Sequence, residues 1–370
     1  MKIKQIKLFP LNLKLKHPFV TNHGTTLNRP LTLVEIELSS GIKGYGEVQA
    51  FADDNYAPQT QTIALAELNL LLPHLIGLEF NQPTDLNFQL NQLTSFARAS
   101  VEMALWDSYG KSKHRSLADL LGNHRNKVPV GIAIGKGSLT ETKHAIDIAM
   151  QNGYRRLKLK VSVWETSKHL LNYIKKNFPT ELVSMDANCA WSLNQDTIVN
   201  LQSLANHGLT LIEEPLQHGT LSQYTTLQKQ LPNLQISLDE TITDYNFIKK
   251  ALVFNAADAF TLKQGKLGGI SLVMQAINEI QSHNKLPWIG GMLASGLGRS
   301  VDLALAAQLG VNSFPADISA SSRYFEQDII NEDLIVNDGM IDVPNKPGIG
   351  VTINWKNVHQ LQNQPTIIYK

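Results

Sequence analysis

A repeated alternation of short apolar runs and amphipathic helices, from Val128 to about residue 320, is the feature that most constrains the fold of this 370-residue chain. Each apolar run is followed by a polar or glycine-containing turn, a helical pattern and another apolar run. Such units require parallel strands with helical crossovers, and eight of them in about 190 residues suit a (β/α)8-type barrel. A doubly wound open sheet is the competing architecture. The predicted strands are VPVGIAIG, YRRLKLKV, LVSMDAN, LTLIEEPL, LQISLDE, AFTLKQG, LPWIGGM and PADIS.

Different patterns flank this repeat on both sides. The segments KIKQIKLFPLNLKLK and LTLVEIELSS alternate with period two, which indicates an antiparallel meander, and ARASVEMALWDSYGKSKHRSLADLLG carries a helical apolar stripe. The turn-rich DGMIDVPNKPGIGVTI breaks the repeat near the C-terminus. We therefore predict an α+β capping domain over residues 1–125, the barrel over 126–322, and a segment over 323–370 that returns to the cap.

The composition excludes several classes of function. The 33 basic and 32 acidic residues are interspersed and give a net charge of +1, so we expect no nucleic-acid partner and no binding to a membrane surface. The single cysteine, Cys189, permits no intrachain disulfide. The stretch MKIKQIKLFPLNLKLK lacks the continuous apolar core expected of a signal peptide, and no apolar run approaches about 18 residues. We predict a cytoplasmic homo-oligomer that acts on a small molecule.

One ionisable residue stands at the carboxyl end of each of five successive predicted strands. They are Lys160, Asp186, Glu213, Asp239 and Lys263. The separations (186−160=26, 213−186=27, 239−213=26 and 263−239=24) match the repeat itself. Each residue alone could be a helix cap or a solvated strand end. Together they are expected around one mouth of the barrel, the end at which barrel enzymes carry their active sites.

The three acids in the middle of this series predict a metal centre. Asp186, Glu213 and Asp239 offer only oxygen ligands, which suit Mg²⁺, or Mn²⁺, better than zinc. Without a cation, their charges would repel and raise one another's pKa. Asn188 and Glu240 are candidates for a surrounding shell that orients the ligands or the lysines.

The flanking lysines predict proton abstraction next to a carboxylate. In RLKLKVS, Lys158 and Lys160 share one face of a strand, which could be the wet face of an edge strand or the inner face of a barrel. To act as a base, Lys160 must be neutral near pH 7, and the like charge of Lys158 would lower its pKa. Schiff-base chemistry at a barrel lysine is an alternative, but it would not need three carboxylates.

These blocks, K-x-K, D-x-N, E-E-P, D-E and K-x-G, resemble those of the enolase superfamily, in its muconate-lactonizing subgroup. The resemblance spans essentially the whole chain and implies a modified (β/α)7β barrel of the TIM type behind an N-terminal cap. PFVTNHGTT, GYGEVQAF, GGMLASGLGRS and ISASSRYFEQDI are similar to segments of the o-succinylbenzoate synthase / N-succinylamino acid racemase family.

That resemblance implies metal ligation by Asp186, Glu213 and Asp239, with Lys160 as the base. The implied synthase reaction is the syn-dehydration of 2-succinyl-6-hydroxy-2,4-cyclohexadiene-1-carboxylate through a magnesium-stabilised enediolate, in menaquinone biosynthesis. Lys263 would then stay protonated. In the alternative, racemisation of N-succinylamino acids, both lysines would exchange protons with the α-carbon. A non-catalytic barrel that binds a carboxylate is the third possibility.

The chain departs from the family pattern at two positions, and the first departure favours the synthase. Racemase relatives usually carry Arg where this chain has Lys266, and Ala133 replaces a frequent Ser. Lysine cannot reproduce the planar fork of an arginine. The stretch SASSRYF also lacks the acidic pair with which related epimerases hold a free ammonium, so the substrate is expected to carry no free α-amino group. The predicted substrate-binding residues are Phe19, His23, Gly291, Met292 and Ser295.

Overall fold

The computed structural model describes residues 1–21, 24–122, 124–160, 163–308, 310–311 and 314–370, with backbone only for residues 19–21 and 24. His23 therefore lies outside the described residues, and the side chain of Phe19 is not described.

The N-terminal unit is an antiparallel sheet with helices packed on one face. Its strands are β1 (Ile3–Thr21), β2 (Gly24–Leu38) and β3 (Lys43–Val48). Its helices are α1 (Gln61–Leu75), α2 (Asn87–Leu90), α3 (Ser95–Lys113) and α4 (Leu117–Leu121). Alternation in β1 buries Ile6 and Leu8, while Lys7 pairs with Glu35 on the other face. The period-two pattern thus forms the predicted meander.

Two short strands of the C-terminal segment pair antiparallel with earlier parts of the chain. Strand β4 (Lys127–Pro129) pairs with the late strand Met340–Asp342, so the predicted run VPVGIAIG is divided between this pair and the first barrel strand. The final strand, Ile367–Tyr369, adds to β1 at the edge of the cap sheet, and the helix Trp355–Leu361 precedes it.

The rest of the chain forms a seven-stranded parallel sheet whose strands follow one another in chain order. The strands are β5 (Ile132–Ile134), β6 (Arg156–Lys160), β7 (Leu182–Asp186), β8 (Leu211–Glu213), β9 (Gln235–Leu238), β10 (Ala259–Leu262) and β11 (Leu286–Ile289). The helices that follow these strands are α5 (Leu139–Gln151), α6 (Trp164–Asn177), α7 (Gln195–Asn206), α8 (Leu221–Gln230), α9 (Tyr245–Val253), α10 (Gln264–Leu267), α11 (Ile270–Ser282) and α12 (Gly296–Ala306).

The predicted eighth strand, PADIS, closes the barrel although it forms only one β-bridge. The amide of Asp317 donates to the carbonyl of Ile289 in β11 (3.0 Å), and the amide of Gly131 donates to the carbonyl of Ala316 (2.8 Å). Both edges of the seven-stranded sheet are thereby tied to the same segment, which an open sheet does not allow. The (β/α)7β architecture is confirmed, and RLKLKVS lies inside a closed barrel rather than at an edge.

No helix in the described part of the chain is both long enough and apolar enough to cross a membrane.

Candidate active site

A cavity of about 170 Å³ lies at the carboxyl ends of the barrel strands, beneath the cap. The barrel contributes the ends of β6, β7, β9 and β10 and the segment after β11. The cap contributes residues from β2 and from the loop after β3. The lining residues are Thr25, Thr26, Phe51, Asp53, Asn55, Tyr56, Gly131, Ala133, Lys158, Lys160, Asp186, Asn188, Asp239, Glu240, Lys263, Gly291, Met292, Leu293, Arg299, Asp317, Ser319 and Tyr324.

Strand register brings the predicted rim residues side by side. Lys160 on β6 is the partner of Asp186 on β7, and Asp186 is the partner of Glu213 on β8. Asp239 follows the end of β9, the next strand. Lys263 follows β10, so Lys160 and Lys263 stand at either end of the series of three acids. This is the arrangement that the spacing predicts.

Lys158 lies at the centre of the acids. Its Nζ is 2.7 Å from Glu213 Oε2, 2.7 Å from Asp317 Oδ2 and 3.1 Å from Asp186 Oδ2. Although burial lowers the pKa of Lys158, the charges of Asp317 and Glu213 raise it well above its ordinary value. These carboxylates offset the positive charge that Lys158 places beside Lys160.

Lys160 reaches the cavity from the end of β6. Its Nζ donates to Asp186 Oδ2 (2.5 Å) and to Asn188 Oδ1 (3.0 Å). Asn188 in turn donates through its amide nitrogen to Glu240 Oε1 (2.7 Å), and it has a left-handed backbone with φ of 45°. Hydrogen bonds therefore connect Glu240, through Asn188, to the Lys160 amine, and the orienting role of Asn188 and Glu240 stays a prediction.

Lys263 enters the cavity from the opposite side. Its Nζ donates to Asp239 Oδ2 (2.5 Å) and to the hydroxyl of Tyr56 (2.8 Å). Although burial lowers the pKa of Lys263, the negative charge of Asp239 raises it well above its ordinary value. Lys266 lies below, donating to the backbone carbonyls of Asp239 (2.6 Å) and Glu240 (3.1 Å). The geometry thus favours a protonated Lys263.

The predicted substrate residues fall in different places. Gly291 and Met292 line the cavity, and a Cβ on Gly291 would lie 2.3 Å from the carbonyl oxygen of Asp317, so only glycine fits there. Ser295 is fully buried and does not line the cavity. It caps α12 through the amide of Leu297 (3.1 Å) and donates to Glu47, which are structural contacts.

Asp317 is a residue that the sequence argument missed. Its carboxylate binds Arg156 Nη1 (2.5 Å) as well as Lys158, and those cations lower its pKa to about 2 even though burial raises it. A signal was present, because 317−263=54 is about twice the βα repeat. The PADIS segment was predicted as a strand, but its acid was not included in the series of rim residues.

The cap residues of the cavity were also missed, Tyr56 above all. Its ring lies 5.0 Å from Lys263 Nζ and 5.5 Å from Lys266 Nζ. On the barrel side, Arg299 donates to the carbonyls of Ser319 (2.8 Å) and Ala294 (3.2 Å), and its guanidinium lies 5.1 Å from the ring of Tyr324. Arg299 and Tyr324 lie within GGMLASGLGRS and ISASSRYFEQDI, which the family resemblance singled out, whereas Tyr56 lies outside every segment quoted for that resemblance.

The acids of the site suit a divalent cation by their chemistry, although no three His, Cys, Asp or Glu side chains of the described residues stand ready to hold one. Burial and the charges of Asp186 and Asp239 raise the pKa of Glu213 well above its usual range, despite Lys158. Glu213 Oε2 is enclosed, and the ammonium of Lys158 lies 2.7 Å from it. A further positive charge would therefore stabilise this cluster.

Two sequence families match the chain. Residues 3–122 match the mandelate racemase / muconate lactonizing enzyme N-terminal domain, and residues 141–357 match the enolase C-terminal domain-like family. A crystal structure of an enolase superfamily member from Listeria innocua superposes with a TM-score of 0.93 at 30% identity, covering 100% of this chain and 99% of that one. Muconate lactonizing enzyme from Pseudomonas putida shares the fold, with a TM-score of 0.89, 22% identity, and coverage of 98% and 100%.

Two relatives are similar over nearly their full length. The o-succinylbenzoate synthase of Bacillus subtilis is 34% identical over 96% of this chain and 95% of its own. The N-succinylamino acid racemase of Thermus thermophilus is 33% identical over 98% and 97%.

Fold and site together define a capped-barrel enzyme of the enolase superfamily. Within the muconate-lactonizing subgroup, the chain belongs to the family of o-succinylbenzoate synthases and N-succinylamino acid racemases. Enzymes of this kind generally depend on a divalent metal.

Proposed function

We propose that the protein is an o-succinylbenzoate synthase, which converts 2-succinyl-6-hydroxy-2,4-cyclohexadiene-1-carboxylate into o-succinylbenzoate and water. The observation that carries the proposal is the pair Lys160 and Lys263, which face one cavity from either side of Asp186, Glu213 and Asp239. A carboxylate held near the acids through a metal would present its α-carbon between two amines. The similarity to the synthase of Bacillus subtilis supports this substrate.

Lys160 is the proposed base. Its contacts with Asp186 and Asn188 leave one amine position to turn toward the cavity, where a neutral Nζ accepts the α-proton. The C–H electron pair first moves onto the substrate carboxylate, which becomes an enediolate, and then returns to form the new ring double bond as the C–O bond to the neighbouring hydroxyl breaks. In a syn-elimination both groups leave from one face, so the proton taken by Lys160 can pass to the departing hydroxide as water forms.

Lys263 is proposed to act as a fixed positive charge in this reaction. Its contact with Asp239 keeps it protonated, and Tyr56 holds its Nζ from the cap side. A buried ammonium on the far face of the ring stabilises the negative charge that develops when the α-proton leaves. The same role does not require Lys263 to exchange a proton.

Magnesium, with manganese as the alternative, is the proposed metal, held by Asp186, Glu213 and Asp239. When bound, it would supply positive charge that stabilises the substrate carboxylate as electron density moves onto it. Lys158, which contacts two of these acids and Asp317, is proposed to orient the acids and the substrate carboxylate. Location in the cytoplasm and a homo-oligomeric state stay predictions from the sequence.

Racemisation of N-succinylamino acids is the second candidate, because both lysines line the same cavity. It would need Lys263 to give up its proton, which the contact with Asp239 opposes. Lys266 donates to the backbone carbonyls of Asp239 and Glu240 from a single ammonium nitrogen, whereas an arginine would offer several donors on a planar guanidinium. These contacts favour the synthase as the main activity.

A paired assay tests the proposal. The metal-loaded protein is given the cyclohexadiene substrate, with aromatic product followed by absorbance, and separately N-succinyl-L- and N-succinyl-D-amino acids in D₂O, with α-deuterium followed by NMR. We expect rapid dehydration and slower exchange. Exchange without dehydration would identify the protein as a racemase instead. If neither activity is found, the non-catalytic barrel that binds a carboxylate is the remaining hypothesis.

A further inference from the structure

Glu214, the second glutamate of the E-E-P block, directly follows the proposed metal ligand Glu213 but has no part in the proposed reaction. Its side chain is fully buried and does not line the active-site cavity. Strand β8 ends at Glu213, and the backbone of Glu214 is left-handed with φ of 38°, a conformation that residues other than glycine seldom adopt. The chain therefore turns sharply between the two glutamates, and what the turn achieves can be read from the contacts of Glu214.

The carboxylate of Glu214 accepts four hydrogen bonds. Oε2 accepts from the backbone amides of Asp239 (2.8 Å) and Thr241 (3.1 Å). Oε1 accepts from the hydroxyl of Tyr224 (2.5 Å) and from the hydroxyl of Thr241. Tyr224 lies in helix α8 and is fully buried. The carboxylate thus ties residues 239–241, which include a proposed metal ligand, to the end of β8.

The backbone of Glu214 contacts the neighbouring strands on both sides. Its amide donates to the carbonyl of Ser237 in β9 (2.9 Å), and its carbonyl accepts from the amide of Cys189, in the turn after β7 (2.8 Å). Asp186 is the last residue of β7, and Asp239 follows β9. Glu214 therefore connects the ends of all three strands that carry the proposed ligands.

A divalent cation makes the position of these strand ends critical. Mg²⁺ demands near-ideal geometry, with oxygens at about 2.0–2.1 Å, so a small displacement of one carboxylate weakens binding. Groups that hold a ligand from behind are therefore part of such a centre although they never touch the metal. Asp239 also contacts Lys263, so the turn that carries Asp239 also bears on the position of this lysine.

We propose that Glu214 is a positioning residue of the metal centre, which holds residues 239–241 so that Asp239 and Glu213 meet the same cation. The inference rests on the proposed metal centre, but not on the identity of the substrate. The role requires the reach of the Glu214 side chain rather than its charge. A glutamine of the same length can keep its oxygen on the two amides and turn its NH₂ to the hydroxyls, which can accept as well as donate.

Titration calorimetry with Mn²⁺ alone, on the full chain freed of metal by chelation, tests this role. Glu214→Asp keeps the charge but is one methylene too short to reach the same donors, whereas Glu214→Gln keeps the reach and loses the charge. We expect Glu214→Asp to bind Mn²⁺ about tenfold or more weakly than the parent. Glu214→Gln should stay within about threefold of the parent, because its contacts with the turn persist.

Asp107→Asn is the control for a loss of stability alone. Asp107 is a buried carboxyl that also accepts from two backbone amides, those of Tyr45 (2.9 Å) and Ile349 (2.8 Å), but it holds no proposed ligand. This variant should unfold at a lower urea concentration and keep its Mn²⁺ affinity within about twofold, since the proposed ligands are untouched.

The outcomes separate the role of Glu214 from the metal centre itself. Parent-like Mn²⁺ affinity in Glu214→Asp, or a Glu214→Gln variant that binds Mn²⁺ as weakly as Glu214→Asp, would overturn the positioning role while the metal centre stands. An equal loss of affinity in Asp107→Asn would overturn it too, because the effect would then follow from stability. A parent that binds no Mn²⁺ would overturn the metal centre and the role of Glu214 with it.

Discussion

Replacing Asp317 by asparagine should destabilise the barrel far more than a matched change on its surface. Asp317 is 6% exposed and holds Arg156, which is fully buried, and Lys158. Asparagine keeps the shape, but its amide NH₂ must face one of the two cations. The matched change is Asp338→Asn, since Asp338 is 80% exposed and pairs with Arg155, the neighbour of Arg156 in the chain.

The magnitude follows from the electrostatics of the buried pair. A carboxyl whose pKa falls from 3.8 to about 2 on folding is stabilised in its ionised form by about 2 kcal/mol. Leaving a buried cation without its partner costs about 3–5 kcal/mol in other proteins. We therefore expect Asp317→Asn to lower the free energy of unfolding by about 2–5 kcal/mol at pH 7, and Asp338→Asn to leave it unchanged.

Urea unfolding followed by tryptophan fluorescence measures this difference. The guanidinium of Arg156 lies 4.8 Å from the ring of Trp288, so one fluorophore reports directly on the site. The midpoint should shift without a change in the slope of the transition. If Asp317→Asn costs no more than Asp338→Asn, the buried pair does not stabilise the barrel and the reasoning is refuted.

Three further predictions concern the helix cap formed by Ser295, the buried carboxyl group of Glu47 and the metal. Ser295→Ala should cost about 1 kcal/mol of stability through the lost helix cap and leave KM within twofold, whereas a large rise in KM with unchanged stability would make Ser295 a substrate contact. Burial raises the pKa of Glu47 to about 7 from 4.5, so between these pH values the folded state keeps a proton that the unfolded state has lost. The free energy of unfolding should therefore fall by up to about 3 kcal/mol as pH rises through this window, and Glu47→Gln should remove that fall. Parallel plots of unfolding free energy against pH for the parent and Glu47→Gln would contradict this prediction. Chelation of the metal should abolish turnover and Mg²⁺ should restore it, and full activity in protein shown by elemental analysis to be metal-free would exclude the proposed centre.

The repeat made the inner rim of the barrel predictable. Because parallel strands end at one mouth, a spacing of 24 to 27 residues was enough to bring Lys160 and Lys263 to either side of three acids. The position of Lys158 was predictable from strand alternation, but its partners were not. Asp317, one of those partners, lies on a segment that the sequence argument recognised only as a strand.

Contacts between the two units could not be predicted in the same way. Tyr56 reaches Lys263 across 207 positions of sequence, from a loop without periodicity, and only the packing of the cap on the barrel brings them together. For Ser295 the sequence identified the right segment but not the direction of the side chain. Its segment does reach the cavity through Gly291 and Met292, but the start of helix α12 turns Ser295 into the buried interface with Glu47.

The most direct test of the account is the turnover of the cyclohexadiene substrate by the metal-loaded Lys160→Ala variant. General base catalysis contributes about 10²–10⁴-fold, so we expect kcat to fall by about 10³-fold while metal content and the unfolding midpoint stay close to those of the parent. A kcat within tenfold of the parent, in a variant shown to be folded and metal-loaded, would contradict proton abstraction by Lys160.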